Sequence, residues 1–255
     1  MSRGQESETA QSVELDSLAP PTFGLMREGV PATPEMKTQR GIEDRASGIN
    51  AGRRALKDLR AAAAREVECS ESDLTMPRMV LLGLLARAEA FHRGALRAIE
   101  ENNPFTAFTL LRSYSENAAM LVWLKIAPER ISQLDPTNPN AHGLKIGRII
   151  KAAESRLLGF GAIYEQLSAY AHPAGTSLLV SWRPSERESE AGALAWSTVP
   201  AFKTDADAEI ACFWLVELAE ANKELWIECH RLFEALPAES LGRLGGFEHT
   251  AGDPE

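Results

Sequence analysis

The sequence predicts an all-α protein, an up-and-down bundle of about five helices with a small β-hairpin inserted before the last helix. Apolar residues recur at steps of three and four along the long segments, which is the spacing of a helix with one buried face. Prolines and Asx residues separate these segments, most clearly in Asp135-Pro-Thr-Asn-Pro-Asn140. With 255 residues, 44% of them hydrophobic and 25% charged, the composition is that of one globular domain.

The two ends of the chain differ from its middle in composition. Residues 1–40 are rich in Ser, Glu, Thr, Gly and Pro, and we expect a disordered arm because few large apolar groups offset the ordering entropy. Residues 237–255 begin with Pro237 and are rich in glycine, so we predict a flexible tail there. Residues 41–236 are then left for the helical bundle. The start lacks the apolar segment of a secretory signal, and no charge-free apolar run is long enough to span a bilayer. We therefore expect a cytoplasmic protein with no membrane contact.

The first two helices are predicted over Ile42–Glu68 and from Thr75 to about Glu101. The first has an apolar side and a basic side, and the basic side is more typical of a solvated face than of an RNA-binding stripe. Thr75 is a good N-cap residue, and a proline follows it within the first helical turn. The apolar positions of the second helix include His92, so we expect His92 to lie in the core.

Asn103-Pro104 predicts the start of the third helix, which ends near Ala127 before a proline. The apolar pattern of the fourth segment runs from Ile146 to Ala171. It continues through two glycines, so we predict one long helix, although each glycine costs about 1 kcal/mol in a helix interior.

Two short segments, TSLLVSWRP and GALAWSTVP, flank the acidic stretch SERESEA within residues 176–199. They predict a β-hairpin with a charged tip, which must pack on the helices to be stable. The last helix is predicted over Thr204–Leu236. Asn222 lies on its apolar seam, where a polar residue either fixes the register of a dimer or faces another helix or the solvent. We favour the second interpretation.

Charge and cysteine content limit the classes of function. The net charge of −9 argues against a protein that holds nucleic acid through its overall charge. Paired Cys-x-x-Cys units and His-x-x-x-His are both missing, so we predict neither a metal nor a cofactor. The chain has three cysteines, Cys69, Cys212 and Cys229, which is an odd number. Cys212 and Cys229 are about 25 Å apart on one predicted helix, too far for a disulfide bond. We therefore expect reduced thiols in the core.

A polar constellation stands within two otherwise apolar helices. Its members are Arg112, Glu116 and Trp123 in the third helix and Tyr164, Ser168 and His172 in the fourth. These groups face one another if the two helices pack side by side. Because a buried unpaired charge costs several kcal/mol, the arginine and the glutamate must find partners. The alternatives are a clamp between helices and a ligand-binding or catalytic site.

His172 supports two further interpretations. It lies in the last turn of its predicted helix, where the helix dipole favours a cation, and one interpretation is a simple C-terminal cap. In the other, a protonated imidazole beside Arg112 acts on a phosphodiester. One group then serves as general acid, and the other holds the developing negative charge.

The stretches RSYSENAAMLVWL and YEQLSAYAHP resemble a group of uncharacterised bacterial helical proteins that is common in actinobacteria. That group carries an Arg-x-x-x-Glu-x-Ala helix ending in Trp-Leu and a Tyr-x-x-Leu-Ser-x-x-x-His helix, and the likeness covers about residues 105–175. The group in turn resembles HEPN domains. This resemblance implies a four- or five-helix bundle that often dimerises, in a family that includes metal-independent ribonucleases of toxin and phage-defence systems.

The HEPN nuclease signature places an arginine, usually followed by a polar residue, so that four to six residues separate it from a histidine. Glu165, Gln166 and Leu167 occupy the eligible positions before His172, so the arginine is missing there. Arg87 with His92 and Arg243 with His249 fit the spacing. About one such match is expected by chance, His92 faces the predicted core, and Arg243 lies in the tail.

Two functions follow as hypotheses. The leading one is a HEPN-like module that binds an RNA, a protein partner or another ligand without chemistry of its own, as a homodimer, in a phage-defence or stress system. The alternative is a metal-independent endoribonuclease that uses His172 and Arg112, with Glu116, Tyr164 and Ser168 in support. In either case Trp123 is a candidate binding residue.

Overall fold

The computed structural model describes residues 33–68, 75–134, 144–157, 159–172, 178, 181–184 and 194–236. The predicted tail 237–255 and most of the predicted arm 1–40 lie outside these ranges. The helices are α1 (Pro34–Gln39), α2 (Arg45–Glu68), α3 (Met76–Glu100), α4 (Pro104–Ile126), a 3-10 helix (Pro128–Leu134), α5 (Ile146–Glu154), α6 (Phe160–Ala171) and α7 (Asp205–Glu234).

The described part of the chain is predominantly helical, which confirms the all-α class. It contains about eight helical segments, so the predicted number of about five is too low. Two of the additional segments are short. One is the 3-10 helix that follows α4, and the other is α1, which forms within the last residues of the predicted disordered arm.

Side-chain caps begin several of the long helices where the sequence predicts them. The Thr75 hydroxyl accepts a hydrogen bond from the amide of Arg78, and the Asn103 side chain accepts one from the amide of Thr106. Thr204 begins α7 with a capping box, in which Asp207 bonds back to the amide of the threonine. Each cap satisfies amide groups that have no partner inside the helix.

The predicted long helix over residues 146–171 is wrong, because α5 ends at Glu154 and α6 begins at Phe160. Gly159 stands between them with a φ of 76°, the left-handed conformation that glycine adopts without a steric penalty. The apolar periodicity continues across the break because Leu157 and Phe160 are both buried in the turn. Periodicity alone therefore does not reveal the interruption.

Two three-residue strands lie between α6 and α7. β1 (Trp182–Pro184) pairs antiparallel with β2 (Leu194–Trp196), and Trp182 stands opposite Trp196. Residues 185–193, which connect the two strands, lie outside the described residues, as does much of the predicted hairpin segment 176–199. The hairpin itself is therefore not established.

The last helix, α7, is the central element of the bundle. It packs against α2, α3 and α4, and nine consecutive residues, 211–219, are buried. Two glycines let α2 approach it closely. A Cβ atom on Gly48 would lie 2.8 Å from the Cβ of Cys212, and one on Gly52 would lie 3.0 Å from Cδ2 of Leu215. Helix α4 also packs against α5 and α6.

Several polar side chains are buried among these helices. His92 has no exposed surface, as expected from its place in the apolar pattern, and its Nε2 lies 2.9 Å from the carbonyl oxygen of Gly52. Asn222 is also buried, and it bonds to Asn117 of α4. The asparagine therefore faces another helix of the same chain, and it does not lie on an outer surface where it would set the register of a dimer.

The two described cysteines, Cys212 and Cys229, are buried free thiols on α7. Burial raises the pKa of each thiol to about 12, so both remain protonated at neutral pH. Cys69 lies outside the described residues. In the described part of the chain no helix is long and apolar enough to cross a membrane.

Candidate functional site

Arg112, Glu116 and Tyr164 form a closed hydrogen-bonded triad between α4 and α6. The arginine and the glutamate are one turn apart on α4, with Nη2 3.1 Å from Oε1. The Tyr164 hydroxyl accepts a hydrogen bond from Arg112 Nη2 at 2.7 Å and donates one to Glu116 Oε1 at 2.9 Å. The guanidinium also lies 5.2 Å from the centre of the tyrosine ring.

The charges in this triad are largely neutralised within it. Burial raises the pKa of Tyr164, the hydrogen bond from Arg112 lowers it, and the hydrogen bond to Glu116 raises it. The net direction is upward, so the phenol keeps its proton at neutral pH and donates to the carboxylate. The side chains of Arg112 and Glu116 are 23% and 24% exposed, so the pair is partly hydrated. This arrangement is an inter-helix clamp, one of the two alternatives that the sequence leaves open.

Two buried polar atoms near the triad have no hydrogen-bond partner among the described residues. They are Nε of Arg112 and the hydroxyl oxygen of Ser168. Ser168 lies one helical turn beyond Tyr164 on α6, on the side chain row that faces α4. A buried polar group without a hydrogen bond is costly, so these two atoms reduce the stability that the triad contributes.

Trp123 lies away from the triad, near the C-terminal end of α4. Its ring is buried and packs under the guanidinium of Arg130, whose Cζ atom is 5.1 Å from the ring centre. Arg130 belongs to the 3-10 helix and also donates a hydrogen bond to the carbonyl oxygen of Trp123. The tryptophan therefore holds the 3-10 helix against α4 through a cation–π contact.

His172 stands at the C-terminal end of α6 and is exposed. The two helices run antiparallel, because Tyr164 contacts Glu116 whereas Tyr170 stacks on Phe108 with ring centres 4.1 Å apart. The eight residues from Tyr164 to His172 correspond to about 12 Å along the helix axis. The structure thus brings together Arg112, Glu116 and Tyr164, and it places His172 at the other end of the helix pair.

An open cleft of about 480 Å³ lies beside His172. It is bounded by the first turn of α4, the last turn of α6 and strand β2. The residues that line it are Phe105, Tyr170, Ala171, His172, Leu178, Ser181 and Trp196. Trp196 is 61% exposed, which is unusual for the largest apolar side chain. The cleft therefore combines aromatic surface with an imidazole and a hydroxyl group.

The sequence analysis did not identify Phe105, Tyr170 or Trp196 as binding residues. Tyr170 is one of the residues that line the cleft, and burial, followed by the charge of Asp207, raises its pKa. The feature of the sequence that could have indicated this site was the pair of tryptophans in the two predicted strands. Residues opposite each other in antiparallel strands point to the same face, so Trp182 and Trp196 lie side by side.

Comparison of the chain with protein-family models, with curated proteins and with solved structures gave no match in any of the three. Within the described ranges, no group of three or more His, Cys, Asp or Glu side chains is arranged to hold a metal ion. The triad and the cleft are therefore interpreted from their own geometry. The triad joins two helices, and the cleft offers surface for a bound group.

Proposed function

We propose that the protein is a helical binding module without chemistry of its own, and that it binds a flat aromatic group of a ligand or partner in the cleft beside His172. The observation that carries the proposal is the cleft itself, with Trp196 and Tyr170 as its aromatic walls. Its volume of about 480 Å³ falls within the usual range for small-molecule sites. Offset stacking on tryptophan favours planar rings, and His172 and Ser181 supply polar contacts that orient them.

The geometry gives less support to the alternative, a metal-independent endoribonuclease that uses His172 and Arg112. General acid–base catalysis needs both groups within hydrogen-bond reach of the same substrate atoms. His172 lies about 12 Å along α6 from Tyr164 of the triad, and the Arg112 charge is already paired with Glu116. A binding function requires neither group to move.

The binding proposal is tested by ligand-observed NMR with indole and adenosine as aromatic probes. We expect saturation transfer from the wild-type protein to at least one probe, and we expect Trp196→Ala to abolish it. Met79→Ala is the control, because Met79 is a large apolar side chain on α3 that is 44% exposed and does not line the cleft. Absence of transfer to both probes, or equal loss in the two variants, would overturn the proposal.

The endoribonuclease alternative is tested separately, by incubating the full chain with RNA in the presence of EDTA. The binding proposal predicts no cleavage by the wild type and no growth arrest when the protein is overexpressed. Cleavage that disappears in His172→Ala would establish the alternative instead. Cleavage that persists in this variant would remove His172 from the catalytic candidates.

The resemblance to HEPN domains adds two further parts to the proposal, self-association as a homodimer and a role in a phage-defence or stress system. Large exposed apolar side chains near the cleft offer a surface for self-association; they are Leu178, Trp182, Trp196 and Val199. Light scattering coupled to gel filtration tests the dimer, and a mass of 27.8 kDa would contradict it. Phage infection assays with and without the gene test the cellular role.

A further inference from the structure

Helix α3 ends in a left-handed turn at Asn102. Among the described residues, Asn102 is the one non-glycine residue with a positive φ, at 59°. Its amide donates a hydrogen bond to the carbonyl oxygen of Ile99 at 3.1 Å, and the amide of Asn103 donates one to that of Ala98 at 2.8 Å. These two bonds form a Schellman motif, in which glycine is the usual residue at the left-handed position. The backbone therefore favours glycine at position 102, and asparagine stands there at a steric cost.

The side chain of Asn102 makes contacts that a glycine could not make. Its Oδ1 accepts a hydrogen bond from the amide of Phe202, 100 positions later in the chain, and another from Nη1 of Arg45, both at 3.3 Å. Arg45 also donates to the carbonyl oxygen of Ile99 at the end of α3, and its Cζ atom lies 5.9 Å from the centre of the Phe202 ring. Asn102 holds the backbone of Phe202, and Arg45 lies over its ring.

Phe202 connects this turn to the cleft beside His172 through two aromatic contacts. Its ring meets Phe108 edge to face, with ring centres 6.0 Å apart, and Phe108 stacks on Tyr170 with ring centres 4.1 Å apart. Tyr170 lines the cleft, and together with Phe108 and Phe202 it also lines a second cavity of about 70 Å³. Because that cavity leaves space beside the ring, the position of Tyr170 depends on where Phe108 and Phe202 are held.

We propose that Asn102 is a positioning residue for the cleft. Its side chain holds Phe202, and Phe202 acts through Phe108 to keep the ring of Tyr170 in the place that a bound aromatic group contacts. Asn102 does not line the cleft, so its substitution removes no contact with the bound group. The inference rests on the proposed function for the role of the cleft, whereas the link from Asn102 to Tyr170 depends on no ligand.

This link is tested without a ligand, by fluorine NMR of the protein carrying 3-fluorotyrosine. The chain has three tyrosines, so each can be followed, and Tyr170→Phe assigns the resonance of Tyr170. We expect Asn102→Gly to shift or broaden this resonance and to leave those of Tyr114 and Tyr164 unchanged. Asn102→Asp is the matched control and should preserve the wild-type resonance, because it keeps an acceptor oxygen and tolerates the left-handed conformation. A Tyr170 resonance that is the same in the wild type and in Asn102→Gly would overturn the proposal.

Melting temperatures separate positioning from general stabilisation. Glycine at position 102 relieves the steric cost while it removes two hydrogen bonds, so we expect Asn102→Gly to melt within a few degrees of the wild type. A large fall in melting temperature, or shifts of all three tyrosine resonances, would show a general loss of packing and would count against a specific role for Asn102.

The effect on binding is measured by titrating whichever of indole and adenosine binds the wild type. The apparent dissociation constant rises in inverse proportion to the fraction of molecules with Tyr170 in place, so Asn102→Gly should weaken binding several-fold and Asn102→Asp should not. Equal affinities of the wild type and Asn102→Gly would refute the role in binding. If neither probe binds the wild type, the proposed function fails, and the fluorine resonances still decide whether Asn102 positions Tyr170.

Discussion

Asn117 on α4 donates a hydrogen bond from Nδ2 to Oδ1 of Asn222 on α7, at 2.8 Å, in the centre of the bundle. Asn117 also donates to the carbonyl oxygen of Leu84 on α3 at 3.2 Å. Asn222 donates to the carbonyl oxygens of Tyr114 and Leu218 at 3.3 and 2.8 Å. The two amides thus connect three helices at one buried point.

Removing one amide should therefore destabilise the bundle. Asn222→Ala removes the acceptor of one Asn117 hydrogen bond and the side-chain donor to the Tyr114 carbonyl, and we expect the free energy of unfolding to fall by about 1–3 kcal/mol. Urea denaturation measures the change. Asn50→Ala is the control, because Asn50 is exposed, and it should change stability by less than about 0.5 kcal/mol. An effect of Asn222→Ala no larger than that of the control would contradict the role given to the pair.

The triad of Arg112, Glu116 and Tyr164 should show coupled energetics. Because its charged groups are about a quarter exposed, we expect Glu116→Gln and Tyr164→Phe each to cost about 1 kcal/mol, which is less than a fully buried ion pair would cost. In a double-mutant cycle the two losses should overlap by at least about 0.5 kcal/mol. The exposed pair of Arg97 and Glu101 is the control, and Glu101→Gln should have almost no effect. Strict additivity would mean that the groups do not act together.

Two glycine-to-alanine substitutions should have opposite signs. Gly159→Ala places a Cβ on a residue with a φ of 76° and should cost about 1–2 kcal/mol. Gly83 lies inside α3, and a Cβ there meets nothing within 4 Å. Gly83→Ala should therefore stabilise the protein by about 0.5–1 kcal/mol through helix propensity. Melting temperatures measure both, and a gain for Gly159→Ala would contradict the break between α5 and α6.

Burial of His92 should make stability depend on pH. Desolvation lowers the pKa of His92 to about 4, whereas the unfolded chain binds the proton near pH 6.5. The unfolded state therefore takes up a proton first as the pH falls. The contribution of neutral His92 is complete above pH 6.5 and is lost between pH 6.5 and 4, at up to about 1.4 kcal/mol per pH unit.

His92→Gln isolates this term from the other titrating groups, of which Glu217 has the opposite sign because burial raises its pKa. The difference in unfolding free energy between the wild type and the variant should shrink steadily from pH 6.5 to pH 5 and stay constant from pH 7 to pH 8. Denaturation curves at these pH values provide the measurement. A difference that does not vary with pH would mean that His92 is hydrated in the folded state.

The sequence predicted most helix starts, and it predicted that Tyr164 and Arg112 would lie together. Thr75, Asn103 and Thr204 are capping residues whose preference depends on the adjacent turn alone. The contact of Tyr164 with Arg112 follows from spacing and from the packing of neighbouring helices. The position of His172 could not be predicted in the same way, because it depends on the direction of α6. This helix runs antiparallel to α4, so His172, eight residues after Tyr164, lies farther along the bundle and away from Arg112.

The features that sequence patterns missed depend on tertiary contacts. Helix α1 is too short to show a periodicity, and its ion pairs join Lys37 and Arg40 to residues more than 170 positions away. The cleft beside His172 forms only where Trp196 meets the ends of α4 and α6. The break at Gly159 leaves the apolar pattern intact. None of these relationships is encoded within a single helical segment.

The burial of α7 has a consequence for how the protein is made. Ribosomal synthesis releases α2, α3 and α4 before the helix that fills the space between them, so their inner faces stay hydrated while the last turns of α7 are still being added. Nascent chains that stall before residue 205 should therefore be sensitive to protease and attractive to chaperones. Completion of the native state follows translation of the final helix.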